Sequence, residues 1–101
     1  EEAIKDYDSA LAKDPKEALA IIRNRSVLYL ETAKYDKALK DYDELIRIDK
    51  TNFSHYYNRA FSKVMRKDYD GAIADYQIVL KFNPGDKQTL EQLRVLTDLP
   101  R

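Results

Sequence analysis

The chain has 101 residues, of which 44% are hydrophobic and 36% charged, a balance typical of a single globular, strongly helical domain. Its 18 Lys and Arg residues equal its 18 Asp and Glu residues, so neither a basic surface for nucleic acid nor an acidic tail is expected. The absence of cysteine excludes disulfides, thiolate metal sites and cysteine nucleophiles, and it fits the cytoplasmic location that we predict.

Six helices are predicted in chain order, separated by short breaks. The breaks fall near Pro15, Lys34, Lys50, Lys67 and Pro84. The first, third and fifth helices share one motif, at residues 3–7, 38–42 and 72–76, with steps of 35 and 34 residues. The second and fourth share another, at residues 22–26 and 56–60. A unit of two helices with a period of about 34 residues indicates a repeat architecture.

This pattern resembles the tetratricopeptide repeat family. Ile22 stands at the family's large position, Ser26 at its small position four residues later, and Pro84 at its closing proline. The residues at 38–42 and 72–76 match its A-x3-F segment. The resemblance implies an all-α fold, a right-handed superhelical solenoid of antiparallel helix pairs.

Four positions depart from the family pattern. Lys50 replaces the usual proline, and Ala33 and Lys67 stand where the family often has glycine in the turn. A fourth position, Lys63, replaces a large apolar residue, so we expect it to be partly exposed. The small residues Ala38 and Ala72 are expected at close helix crossings, with Tyr42 and Tyr76 filling the space beside them.

The repeats divide the chain into four parts. These are the second helix of a truncated repeat (1–15), two complete repeats (16–50 and 51–84) and a C-terminal capping helix (85–101). The capping helix is predicted to begin at the N-cap Asp86 and to carry one apolar side made of Leu90, Leu93, Leu96 and Leu99.

The chain opens with Glu1 rather than Met, so we expect it to be a piece of a longer protein. Ile4, Tyr7 and Leu11 would then lack their covering helix, and self-association through this strip is predicted.

Two asparagines, Asn24 and Asn58, occupy equivalent positions in the first helix of each complete repeat. In the family, first helices line a concave groove, and asparagines at this position often hydrogen-bond the backbone of an extended peptide. The resemblance therefore implies a peptide groove, and the predicted groove residues are Arg23, Asn24, Tyr57, Asn58, Phe61 and Met65. Packing against neighbouring helices explains Tyr57, Asn58 and Phe61 equally well, and it is the better explanation for Val27 and Leu30.

Arg25 and Arg59 each follow a groove asparagine by one residue. A step of about 100° around a helix turns a side chain from the groove towards the adjacent helix. We therefore predict structural ion pairs between these arginines and the repeated acids Asp6, Asp41 and Asp75.

The combination of Asn-Arg-small with Ala-x-x-Asp resembles the repeats of many co-chaperones. That subclass often grips the acidic C-terminal tails of heat-shock chaperones with a clamp that needs basic residues on the first helices. The matching places after Asn24 hold Ser54, Asn58, Gln88 and Gln92, and none is basic. The sequence therefore disfavours a clamp built from these residues.

The sequence offers no catalytic or metal-binding pattern. His55 is the single histidine, with no companion ligands at metal spacing, so we predict a surface or packing role for it. The Asp-Tyr-Asp segments at 6–8 and 41–43 are interpreted as a core tyrosine flanked by solvated acids, because residues two apart on a helix face different ways.

We therefore predict a protein-interaction module that binds a peptide or helix of a partner protein, with no enzymatic activity and no cofactor. Neither nucleic acid nor a membrane is an expected partner. Two alternatives remain open at this point. One is a structural segment that stacks on flanking repeats or on another chain, and the other is a non-catalytic domain tethered to an enzyme.

Overall fold

The computed structural model describes residues 15–98, and this part of the chain contains five α-helices and no strand. The helices are α1 (Pro15–Glu31), α2 (Tyr35–Ile48), α3 (Phe53–Met65), α4 (Tyr69–Phe82) and α5 (Lys87–Thr97). Each helix packs on its neighbours in the chain, from α1 on α2 to α4 on α5. The all-α prediction is confirmed, and the links between helices fall at the predicted breaks.

The links after α1 and α3 turn through a left-handed residue. Ala33 has φ 58° and Lys67 has φ 64°, which are the two positions that depart from glycine. The amide of Lys34 donates to the Tyr29 carbonyl at 2.8 Å, and the amide of Asp68 donates to the Lys63 carbonyl at 2.8 Å. Each of these hydrogen bonds spans five residues, as in a Schellman motif, which satisfies the last carbonyls of a helix. The turn needs the left-handed conformation even though neither residue is glycine.

Polar side chains cap the starts of α3 and α4. The Asn52 side chain accepts from the Ser54 amide at 3.1 Å, and the Asp68 carboxylate accepts from the Gly71 amide at 3.0 Å. Asp86 occupies the N-cap position of α5, but its carboxylate accepts a hydrogen bond from the Thr89 hydroxyl rather than from a backbone amide. The starts of α3, α4 and α5 thus each have a local polar residue that marks them in the sequence.

The core has two parts, one near each end of the described chain. Ile22, Tyr29, Ala38, Tyr42 and Leu45 form the part between α1 and α2. The second part joins α3, α4 and α5 and consists of Ala60, Ala72, Tyr76 and Leu96. Ala38 and Ala72 are completely buried, as expected for small residues where helices approach closely.

The buried side of α5 differs from the predicted one. Thr89 and Leu96 are buried and Leu93 packs against the core, whereas Leu90 is 46% exposed. The buried set therefore follows the spacing 89, 93, 96, and Leu90 lies about 100° around the helix from it. The prediction that Leu90 belongs to the apolar side was wrong, because Thr89 takes that place beside Asp86.

The predictions for the two ends of the chain lie outside the described residues. They concern the helix at 1–13 with Ile4, Asp6, Tyr7 and Leu11, the self-association expected from it, and Leu99.

Candidate peptide-binding face

One side of α3 is exposed and carries three of the predicted groove residues. Asn58, Phe61 and Met65 follow the spacing i, i+3, i+7, which places them on a single helix face. Phe61 is 41% exposed and Met65 is 46% exposed, while Asn58 is half-buried. An amide and two large apolar side chains therefore lie side by side at the surface.

The equivalent side of α1 carries Asn24 and Val27. Both are exposed, Val27 by 47%. Packing was the favoured explanation for Val27 and Leu30, and it holds only for Leu30, which packs against the core of the first helix pair. Val27 lies one turn after Asn24, on the side of α1 that the described helices leave uncovered.

A third equivalent side lies on α5. Gln92 is half-buried and Val95 is 49% exposed, each 34 residues after its counterpart on α3. From the sequence, Gln92 was considered as a clamp position that lacks a basic residue, and Val95 was not singled out. The 34-residue spacing from Phe61 was the signal that could have found it. We call the surface formed by Asn24, Val27, Asn58, Phe61, Met65, Gln92 and Val95 the inner face.

The other two predicted groove residues lie at the border of the inner face. Arg23 is exposed on α1. Tyr57 is half-buried, and its ring meets the ring of Tyr76 edge-on with centroids 5.3 Å apart. Tyr57 also packs against the second core, and burial is the main cause that raises the pKa of its hydroxyl. It is therefore largely a packing residue with one accessible edge.

Behind the inner face, Arg25 on α1 is bound to Asp41 on α2. Its Nε and Nη2 atoms donate to the two carboxylate oxygens at 2.9 and 2.6 Å. The side chains are only 12% and 6% exposed. Such a two-bond contact holds the planar guanidinium in a fixed orientation, directed towards the second helix.

Arg59 on α3 makes the same contact with Asp75 on α4, at 2.8 and 2.7 Å. Its Nη1 atom also donates to Asp43 on α2 at 2.8 Å, so one guanidinium joins three helices. Lys63 adds a contact of 3.1 Å to Asp75, whose side chain is 2% exposed. The hydrogen bonds to Asp75 are the main cause that raises the pKa of Arg59.

These contacts correct one interpretation of the sequence. Asp43 is exposed, as expected for an acid beside a core tyrosine, but Asp41 is buried together with Tyr42. A carboxylate can be buried here because the Arg25 guanidinium compensates its charge. Lys63 is partly exposed, as predicted, and its ammonium group reaches the buried Asp75.

His55 is 2% exposed near the start of α3, and its Nε2 atom has no hydrogen-bond partner within the described part of the chain. Burial is the main cause that lowers the pKa of His55, opposed by the nearby Asp49 and assisted by Arg23. This is the packing role that the sequence allowed.

The chain is similar to proteins with known architecture, although no family model matches it. It is 39% identical over 87 residues to serine/threonine-protein phosphatase 5 of Rattus norvegicus and 31% identical over 93 residues to the Hsp70-Hsp90 organizing protein of Triticum aestivum. These alignments cover 86% and 92% of the chain but only 17% and 16% of the relatives.

Two solved structures share the fold over almost all of the chain. One is the second TPR domain of human RPAP3 in complex with the HSP70 peptide SGPTIEEVD, with a TM-score of 0.82 and 26% identity, covering 95% of this chain and 79% of that one. The other is the first TPR of Spaghetti (RPAP3) bound to the HSP90 peptide SRMEEVD, with a TM-score of 0.81 and 21% identity, covering 93% of this chain and 74% of that one. This chain is a tetratricopeptide repeat domain.

In this tetratricopeptide repeat domain, the predicted solenoid of antiparallel helix pairs is confirmed. The first helices of the described repeats are α1 and α3, and α5 continues the series. The clamp positions Ser54 and Gln88 are exposed and uncharged, and Asn58 and Gln92 are half-buried amides. The inner face therefore presents hydrogen-bonding amides rather than cations at these places.

Within residues 15–98, no group of three or more His, Asp or Glu side chains could hold a metal ion, and no helix is long and apolar enough to cross a membrane. A shallow pocket of about 290 Å³ lies away from the inner face, at the link between α1 and α2, where Arg66 is paired with Asp36 at 2.9 Å.

Proposed function

We propose that this domain is a protein-interaction module whose inner face binds a peptide or a helix of a partner protein. The observation that carries the proposal is the repetition of one surface on three successive first helices. Val27, Phe61 and Val95 expose apolar side chains at the same place in the repeat, each next to an amide. Isolated exposed apolar residues are ordinary, whereas a repeated row beside amides suits peptide capture.

The comparisons support this proposal. The RPAP3 domains, which share the fold, hold short peptides of HSP70 and HSP90, and one relative is an Hsp70-Hsp90 organizing protein. An amide has donors and an acceptor, so Asn24 and Asn58 can pair with the backbone of a peptide of any sequence.

The arginines that follow the two asparagines in the sequence point to binding rather than catalysis. Arg25 and Arg59 are engaged by Asp41 and Asp75, which leaves them to hold the first helices in place. We accordingly infer that the domain provides a rigid platform and that any catalytic activity of a relative, such as that of the phosphatase, belongs to other parts of that protein.

Selection from a library of random heptapeptides on beads tests the proposal. The domain should retain a subset of beads, and Asn58→Ala should reduce their retention at least fivefold. Gln77→Ala is the matched control, because it removes an exposed amide from α4, away from the inner face. If no bead is retained, or if both variants retain beads equally, the inner face does not bind peptides and a stacking role becomes the better explanation.

A further inference from the structure

We propose that the inner face selects an uncharged, extended segment with apolar side chains, rather than an acidic tail of the kind that the RPAP3 domains hold. This inference rests on the proposed function and names the chemistry of the partner segment. It follows from the side chains at equivalent positions of α1, α3 and α5.

The first row of the inner face consists of amides. Asn24, Asn58 and Gln92 succeed one another at intervals of 34 residues, one on each first helix. Amides both donate and accept hydrogen bonds, and they match peptide groups without needing a ligand charge. Asn58 and Gln92 are half-buried, so their orientation is restricted by neighbouring side chains. The row can therefore bind the backbone of an extended segment.

The second row is apolar and lies one turn further along each helix. Val27, Phe61 and Val95 are 47%, 41% and 49% exposed, and Met65 extends the row on α3 with 46% exposed. Covering these side chains with the apolar side chains of a ligand removes hydrocarbon from water at each of the three helices. The flexible thioether of Met65 can adapt to different ligand side chains.

The remaining positions on these helix faces carry almost no charge. Ala20, Ser54 and Gln88 form an uncharged row before the amides. The charged residues on these faces are Glu17 and Glu31, each two turns from Asn24 on α1, and both charges are negative. Arg23 lies at the border of the face on α1, and its counterpart on α3 is Tyr57.

The cations of α3 are directed away from the inner face. Arg59 and Lys63 both contact Asp75, so their charges are already compensated on the side of the second helices. The RPAP3 peptides, by contrast, end in Glu-Glu-Val-Asp. A carboxylate brought to Asn58 and Gln92 would lose water without meeting a cation, which is unfavourable. An uncharged segment has no such cost and also covers the apolar row.

The test uses random heptapeptides on beads, half with a free C-terminal carboxylate and half with a C-terminal amide. We expect the peptides retained by the domain to contain at least threefold less Asp and Glu than the starting library, to be enriched in apolar residues, and to show no preference for the free carboxylate. Phe61→Ser should lower retention at least fivefold. Phe82→Ser is its matched control, because Phe82 is a similarly exposed ring, 47%, on α4.

A gain-of-function variant completes the experiment. Ser54→Lys combined with Asn58→Arg places two cations on the inner face, and it should reverse the selection towards peptides with Asp, Glu and a free carboxylate. Retention of acidic peptides by the unmodified domain, lost in Phe61→Ser, would overturn this inference while leaving the proposed function intact. Absence of retained peptides, or retention unaffected by Asn58→Ala and Phe61→Ser, would overturn the proposed function and this inference with it.

Discussion

At the scale of single residues, the feature with the largest effect on stability is the burial of two carboxylates. Asp41 and Asp75 are 5% and 2% exposed, and each meets an arginine from the preceding first helix. Moving a carboxylate out of water costs several kcal/mol unless a partner compensates it. Each buried carboxylate therefore requires its arginine. Removal of either partner alone leaves an uncompensated charge.

Arg59→Met should lower the free energy of unfolding by about 3 kcal/mol, near the lower end of the range for a broken buried pair. The loss is at this end because Lys63 remains 3.1 Å from Asp75. Urea denaturation followed by circular dichroism measures the change. Arg47→Met is the control, because the Arg47 side chain is 69% exposed and pairs with Glu44 on its own helix; it should leave stability unchanged. Equal losses in both variants would contradict a structural role for Arg59.

The buried His55 predicts a pH dependence of stability. Its folded-state pKa is lowered, mainly by burial, from an ordinary value of about 6.5. Between the two pKa values the unfolded chain binds more protons than the folded one, so the free energy of unfolding falls as pH is lowered below about 6.5. Denaturation between pH 7.5 and 5 should show this decline, and His55→Gln should flatten it. An unchanged slope in the variant would assign the decline to other groups.

At the scale of helices, close contact depends on residues without bulk. Ala38 and Ala72 are completely buried at the places where α2 and α4 meet their neighbours. Ala38→Leu should cost about 1–3 kcal/mol, because the added side chain overpacks the contact. The exposed Ala74 on α4 provides the control substitution Ala74→Leu, which should change the melting temperature little. A thermal melt of Ala38→Leu that matches the unmodified domain would argue against the close crossing.

The backbone conformation of the links between helices also affects stability. Ala33, in the link after α1, has a φ of 58°, a conformation that costs a residue with a Cβ roughly 1–2 kcal/mol. Glycine adopts it freely but also gains freedom in the unfolded chain, which offsets about 0.4–1 kcal/mol. Ala33→Gly should therefore stabilise the domain by about 0.5–1 kcal/mol, whereas Ala74→Gly within α4 should destabilise it by a similar amount. Chemical denaturation of the pair would expose an error if both variants lost stability.

At the scale of the whole molecule, stability comes from the contacts between helices that are neighbours in the chain. The main contacts of each described helix are with the helices adjacent in the chain, as in other solenoids. The joints between repeats are therefore the places where the array can open locally. Arg59 strengthens one such joint, because it binds Asp75 within its own pair and Asp43 of the preceding pair.

Leu96→Ala tests this view, because Leu96 is the 3% exposed anchor of α5 in the second core. The substitution should cost about 2–5 kcal/mol. Hydrogen exchange should accelerate most in α5, less in α4, and least in α1 and α2. Uniform acceleration across all helices would instead show that the described region opens as one cooperative unit.

The sequence by itself determined the local and periodic features of this protein. Helix type, the breaks near Lys34 and Lys50 and the 34-residue repeat are determined by residues close together in the chain. Helical spacing also turned Arg25 and Arg59 away from the asparagines.

The exposure of individual side chains did not follow from the sequence, because it depends on which helix covers a side chain and from what direction. Only the tertiary structure placed Thr89 rather than Leu90 in the core, buried Asp41 and left Val27 at the surface. It also decided that α5, expected as a capping helix, presents Gln92 and Val95 in line with the amides and apolar side chains of α1 and α3. Helical spacing fixes the angle between two side chains on a helix, whereas packing determines how that helix is rotated against its neighbours.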